Sequence, residues 1–575
     1  MKSKMNQKKA ALALCALSCL GAALTGCSNK GNGNVDSSKT QLYVKCYQGG
    51  YGNKWLYSAK ERYEALHAED SFEEGKKGVQ IVIADQKTTP SSAEIKNNIN
   101  ELYFFEGLNY LNMINDGAFE EITEYVTGTN PYETGKTIES KMTADCVSYL
   151  NMAGTDGSKH YYAIPNYSVN FGIVYNKTVF RKYNFYFADG YENETPGSEL
   201  RFIMSASDKK SKGPDGVAGT SDDGLPTTYD EFFELVGYIY QGKQIPFVWR
   251  GEKNGADYFG YLLDALSGFY DGASNYKTNF TMDGEITVVK MNEKGNDAVY
   301  DENGDPVTEK VAIHPEKVNG AYDGYNVQRT AGKYHALDFV RSVVTNKDKW
   351  LCNLVTDSTT HLDAQTFFIN SQFGRLAAHN EQRNKSIAML LDGDWWESEA
   401  SETISSLADS EKSELDFGWM PLPKADSNSN SKQTVVSDLT SMVFMKKGLS
   451  DSKKKLAGDF MQYMNTDEAY REFTTITNAV KYFNYDLTDE DKAKMSNFGK
   501  DYWNFYHSAD VVLPQSKVAQ YTSGIGQSMR TRRYAVSDAS YFPQNDFIND
   551  SGLTAGQYLA KVYKYYKDTI WAGLK

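Results

Sequence analysis

Cysteine is scarce in this chain of 575 residues: there are six, and none stands in a CxxC pair or at a spacing with histidine that would hold zinc. Cys15 and Cys19 lie in the first apolar run and Cys27 at its end, which leaves Cys46, Cys146 and Cys352. An odd remainder cannot close a disulfide framework, so the mature fold has to rest on its core. Nucleophile elbows, P-loops and glycine-rich dinucleotide fingerprints are missing as well. There is no internal repeat, and beyond Leu24 no apolar stretch is long enough to cross a membrane. A surplus of positive charge is also lacking. The formal net charge is −14, so the surface as a whole repels phosphate backbones and nucleic acid is not an expected partner.

What is present begins with a compartment signal. Lys2, Lys4, Lys8 and Lys9 precede an uncharged run from Ala10 to Leu24, the order of a basic n-region and an apolar h-region. A permanent bilayer span needs about 20 apolar residues, so this run better fits an export signal. It ends in Leu24-Thr25-Gly26-Cys27, which resembles the bacterial lipobox and implies a lipid on Cys27. Residues 1–27 are therefore expected to be a lipoprotein signal ending at the lipidated cysteine. Residues 28–40, rich in Gly, Asn and Ser, are expected to be a flexible tether. The rest is long enough for two domains, each with its own core. Aromatic residues make up 13% of the chain, with 41 tyrosines and 8 tryptophans; such rings pair an apolar face with a polar edge and suit hydroxylated ligands.

From Gln41 the pattern is a strand (QLYVKCY), a glycine turn at Gly49-Gly50-Tyr51-Gly52, and a helix with Trp55, Ala59, Tyr63 and Leu66 at helical spacing. A strand at Val79 to Ala84, a helix through Ile95 and Ile99 and a strand at Leu102 to Phe105 repeat the alternation. This predicts an α/β fold with a parallel sheet and a crevice beyond the carboxyl ends of its strands. Two insertions interrupt it. One, near 189–230, is rich in Gly, Asp, Ser, Lys and Pro. The other, near 281–327, carries strand-like runs around Asn303-Gly304, which predicts a type I′ hairpin. After Lys333 the pattern is largely helical.

Several segments taken together resemble the family 1 extracellular solute-binding proteins, the sugar-binding components of ABC importers. They are the Gly49 to Gly52 turn, Leu102-Tyr103-Phe104-Phe105-Glu106, and Tyr162-Ala163-Ile164-Pro165-Asn166-Tyr167 with Gly172-Ile173-Val174-Tyr175-Asn176-Lys177. Further along come Leu391-Asp392-Gly393-Asp394-Trp395-Trp396, Trp419-Met420-Pro421-Leu422-Pro423, Thr440-Ser441 and Ala457-Gly458-Asp459-Phe460-Met461. The resemblance implies a two-lobed periplasmic-binding-protein-like α/β fold with hinge crossings, a central ligand cleft and β-hairpin insertions. Lobe 1 would comprise 41–166 and 433–482, and lobe 2 would comprise 167–432 and 483–575. It also implies a monomer outside the cytoplasm, anchored by lipid to the outer face of the membrane, which passes a sugar or oligosaccharide to permease subunits. Catalysis and a required cofactor are not expected.

On the segments that carry the resemblance, Trp395 is the first candidate for a stacking platform, with Gly393 expected to leave room for a sugar ring. Tyr51, Phe105, Tyr167 and Trp249 are further aromatic candidates, and Glu106, Asn166, Asp394 and Asp438 are polar ones. Each has a plainer alternative. Asp394 could cap a helix, and Trp396 is expected in the core because neighbouring residues of a strand face opposite ways. Asp215, Asp222 and Asp223 lie among glycines and resemble a calcium loop of longer relatives; a solvated acidic turn is the alternative. Two rival functions remain at this stage. A surface glycoside hydrolase would need two carboxyl groups about 5 to 9.5 Å apart, for which Glu106 and Asp394 are the candidates. A peptide-binding importer component would favour backbone-like contacts.

Overall fold

The computed structural model describes residues 35–251, 256–376, 381–426, 432–522 and 533–573. The signal segment, Cys27 and most of the tether lie outside them.

The chain builds its strands in the order β1 (Thr40–Tyr47), β2 (Val79–Gln86), β3 (Leu102–Glu106), β4 (Ile164–Val169), β5 (Phe171–Asn176), β6 (Ile245–Val248), β7 (Gly284–Val289), β8 (Thr308–Ile313), β9 (Ile387–Gly393), β10 (Phe417–Met420), β11 (Thr434–Val436), β12 (Asp438–Met445) and β13 (Asp510–Val512). The first sheet has the order β2-β1-β3-β12-β4 and the second β10-β5-β9-β6. In β1 and β2 alternate residues point inward: Leu42, Val44 and Cys46 on one strand, and Val79, Ile81 and Ile83 on the other, are buried. That period of two places one face on the core. The central β3 is apolar on both faces, as a strand covered on both sides must be.

β1, β2 and β3 run parallel, as the strand and helix alternation predicts. β12 runs antiparallel to both β3 and β4, because the chain re-enters this lobe from the other one, so the sheet is mixed. The helix Lys54–Leu66 buries Trp55, Leu56, Ala59 and Tyr63. Leu66, expected on the same stripe, is 58% exposed because the helix ends there and nothing packs over its last turn.

The two sheets are joined at the hinge. β4 of the first sheet continues to Val169, past residue 166, and Asn170 alone separates it from β5 of the second. Ser437 alone separates β12 from β11, which pairs in parallel with β13 in a small sheet of its own. The two crossings lie side by side: Asp438 pairs with Val169 in the ladder, and the Ser437 hydroxyl donates to that of Ser168 at 2.6 Å. A third passage follows the helix Asp467–Thr477, and the chain then returns to the second sheet through the helix Asn497–Ser508, which packs on β10.

In the second insertion β7 and β8 form an antiparallel hairpin. The tip at Asn303-Gly304 is not a type I′ turn. Gly304 alone has positive φ, at +89°, and the Asp301 carbonyl accepts from the Gly304 amide at 3.2 Å while the Asp301 amide donates to the Asp305 carbonyl at 2.9 Å. This is a type I turn closed by a left-handed glycine, the longer-loop solution to the same hairpin problem.

Candidate functional site

The cleft lies where the crossings meet the second lobe. β9 ends in Gly393, and the chain turns at once into Asp394, Trp395 and Trp396. A Cβ at Gly393 would come within 2.0 Å of the Trp395 ring, so glycine is needed for that ring to fold back over its own strand end. The room expected above Gly393 for a ligand is thus filled by Trp395 itself, and the ring offers its other side to the cleft. Trp395 is 8% exposed, with its centroid 6.1 Å from Tyr258 and 6.3 Å from Phe171. Phe171 in turn stacks on Tyr261 at 6.3 Å. Tyr258, Tyr261 and Ala265 share one side of the helical stretch Ala256–Thr281, at three- and four-residue spacing.

Phe171, Tyr261 and Trp395 border a narrow space together with Asp264, Asp438 and Arg533, and Tyr258 backs the Trp395 ring edge-on. Asp264 pairs with Arg533, and Asp438 accepts from the Gln515 side-chain amide. The wall therefore combines aromatic faces with charged groups already held in place, which is the composition of a site for a ligand that is apolar on one side and hydroxylated on its edge.

The other expected residues separate into two groups. Tyr51, Asp394, Glu106 and Tyr167 gather beneath the cleft at the lobe junction. The fully buried Asp394 carboxylate accepts from the Tyr51 hydroxyl at 2.6 Å, the Asn170 amide at 3.2 Å and the Asn170 side chain at 3.0 Å. It caps no helix, since Trp395 occupies that position. Burial pushes its pKa up to about 6 against the pull of those hydrogen bonds. Glu106 accepts from the Tyr167 hydroxyl at 2.8 Å, and burial, with Glu399 and Asp438 nearby, raises its pKa to about 7. Two further bonds tie the segment after Trp396 to the first lobe: the Gly50 amide donates to Glu399 at 3.2 Å, and the Ser398 hydroxyl to the Thr477 carbonyl at the same distance.

Phe105, Asn166 and Trp249 lie inside the lobes and not on the cleft wall. Phe105 packs against Tyr47 and Tyr103. Asn166 is enclosed by Ser441 and Lys481, to both of which it is hydrogen-bonded. Trp249 is 1% exposed and packs against Phe247 and Phe259, because the helical stretch after β6 closes over it. The sequence reading did not find Tyr258, Tyr261, Asp264 or Arg533. The spacing of the first two along a helix was the only local signal.

In the acidic loop Asp222 accepts from the Asp215 amide at 2.9 Å and the Thr220 hydroxyl at 2.7 Å, Asp223 from the Gly219 amide at 2.8 Å, and Asp215 from the Val217 amide at 2.7 Å. Among the described residues no three His, Cys, Asp or Glu side chains are grouped as a metal site requires. The calcium expectation draws no support from this arrangement, because the loop satisfies its carboxylates with its own donors.

Two lobes with paired crossings and a cleft at the hinge define a solute-receptor fold. The sequence profile of the bacterial extracellular solute-binding proteins matches residues 68–498. The chain belongs to that family, which functions outside the cytoplasm; among the described residues no helix is long and apolar enough to cross a membrane. No curated protein matches the sequence. Among solved structures, one reported in work on xylan utilisation by the thermophilic bacterium Caldanaerobius polysaccharolyticus is similar with a TM-score of 0.52 at 13% identity, over 91% of this chain and 99% of the other. A chitin oligosaccharide binding protein is similar with a TM-score of 0.50 at 13% identity, over 92% and 99%. At such identities the likeness is one of fold.

Proposed function

We propose that this chain binds a sugar or oligosaccharide between its lobes and delivers it to the permease subunits of an ABC importer, while a lipid on Cys27 holds it at the outer face of the membrane. The observation that carries the ligand class is the cleft wall, where Phe171, Tyr261 and Trp395 stand beside Asp264, Asp438 and Arg533. Rings of this kind take the apolar side of a pyranose, and fixed charged groups take its hydroxyls. The names of the two fold relatives point to the same ligand class.

Binding proceeds without turnover. The carboxyl groups singled out for a hydrolase, Glu106 and Asp394, are hydrogen-bonded to Tyr167, Tyr51 and Asn170 at the lobe junction, and the two on the cleft wall, Asp264 and Asp438, are held by Arg533 and Gln515. A peptide receptor is disfavoured by a wall built from ring faces in place of backbone donors and acceptors. The test is to screen the mature chain on immobilised glycans, titrate the hits by calorimetry and assay the mixtures for new reducing ends. Saturable binding with no new reducing ends is expected. Sustained release of reducing ends would replace this reading with the hydrolase, and binding of peptides but no glycan would replace it with the peptide receptor.

A further inference from the structure

Arg533 reaches the cleft from the far end of the chain. It lines the same space as Trp395, Tyr261, Asp264 and Asp438, pairs with the nearly buried Asp264, and lies with its guanidinium 5.7 Å from the centre of the Tyr261 ring. Its backbone is anchored. The next residue, Tyr534, is buried, and its carbonyl accepts from the Tyr558 hydroxyl at 3.0 Å. Tyr558 belongs to the helix Ala555–Tyr565, which packs on the helix Ala331–Thr345 of the second lobe. Lys333, from that second helix, sits 5.9 Å from the Tyr534 ring. The C-terminal helical layer thus fixes one arginine at one point of the cleft.

We infer that Arg533, held by Asp264, is the specificity-determining residue that restricts this cleft to neutral sugars presenting two adjacent hydroxyls; the inference rests on the carbohydrate reading. A guanidinium has five N–H donors in a rigid fork, and even a two-pronged pairing with a carboxylate uses only part of them. The carboxylate likewise has acceptor positions beyond those its partner fills. Side by side, the pair offers donors next to acceptors in one plane. One sugar hydroxyl can accept from the arginine while its neighbour donates to the aspartate, and the ring face rests on Trp395 and Phe171. Charge sets the limit on the ligand. Two carboxylates, Asp264 and Asp438, line the space against one guanidinium, so an acidic sugar meets net repulsion and a neutral one does not.

The test uses the mature chain titrated with xylotriose, chitotriose, singly deoxygenated derivatives of whichever binds tighter, and a glucuronic-acid-bearing xylo-oligosaccharide. The neutral trisaccharide is expected to bind best. Arg533→Gln should weaken it by roughly tenfold to a hundredfold, the range of a hydrogen bond to a charged group. Removing one hydroxyl of the pair should cost the parent a similar factor and the variant almost nothing, a loss of discrimination that a purely structural role would not produce. Arg533→Lys keeps the charge beside Asp264, and with it the melting temperature, but lacks the fork and should also lose the discrimination. The inference is overturned if both variants discriminate among the deoxygenated sugars as the parent does, or if the acidic sugar binds the parent more tightly than the neutral ones; in either case the carbohydrate reading stands. If no saccharide binds the parent, both fall together.

Discussion

Trp395 and Trp396 are joined by one peptide bond and sit in different environments, so alanine at each should give opposite results. Trp396 has no exposure. Its ring meets Phe417 edge-on at 4.8 Å, Phe498 at 5.7 Å and Phe368 at 5.8 Å, which ties β10 and two helices to the end of β9. Its indole N–H has no partner among the described residues, so its removal costs packing alone. Deleting a buried tryptophan costs about 4 kcal/mol; against an unfolding entropy of about 0.5 kcal/mol/K for a lobe of roughly 250 residues, that is a fall of about 8 °C in melting temperature. Trp395 has looser ring neighbours, and its loss should cost at least about 2 kcal/mol in affinity, roughly thirtyfold, with a smaller change in melting. Differential scanning calorimetry and calorimetric titration with a sugar that binds the parent measure both quantities. If Trp395→Ala binds like the parent, or Trp396→Ala melts like the parent, the division of this segment into cleft and core is wrong.

Acid and base should act through different buried groups. Glu397 accepts from Ser496 at 2.7 Å and Asn478 at 2.9 Å, and burial raises its pKa to about 7; Glu106 and Asp394 are raised in the same way. Because the folded state holds these protons more tightly than the unfolded chain, stability falls as pH rises from about 4.5 to about 7. Glu397→Gln should flatten that limb of the melting curve. A variant with the parent's slope would show that Glu397 is not responsible for it. Lys481 and Lys333 are depressed by burial to about 7, so the unfolded chain binds their protons more tightly and stability rises from about pH 7 towards 10. Lys481→Met should remove part of that rise, and an unchanged alkaline limb would refute the assignment.

The strands of the first lobe were legible because their signal is local: a period of two in Leu42, Val44 and Cys46, and again in Val79, Ile81 and Ile83, needs no knowledge of distant partners. Trp396 is in the core as expected, though not by strand alternation: β9 ends at Gly393, and the short helix Trp396–Glu399 turns the ring inward. Cleft membership is another kind of fact. Trp249 follows an apolar strand and looks like a cleft aromatic until Phe259 is seen packed on it. Glu106 and Asp394 look like ligand carboxylates until Tyr167, Tyr51 and Asn170 are seen to occupy them. Asp264 and Arg533 carry no mark in the sequence, since only the packing of the C-terminal helices on the second lobe brings them together.

A crystal structure of the mature chain with its tightest-binding oligosaccharide tests the central claim most directly. The expected result is a sugar ring on the face of Trp395, between the lobes, with hydroxyls on Asp264 and Arg533. A larger groove of about 1400 Å³, counted with its open part, lies between the acidic loop and the helix Asn497–Ser508, beside Trp419 and Phe505. Sugar bound there, with the cleft at Trp395 vacant, would contradict the account.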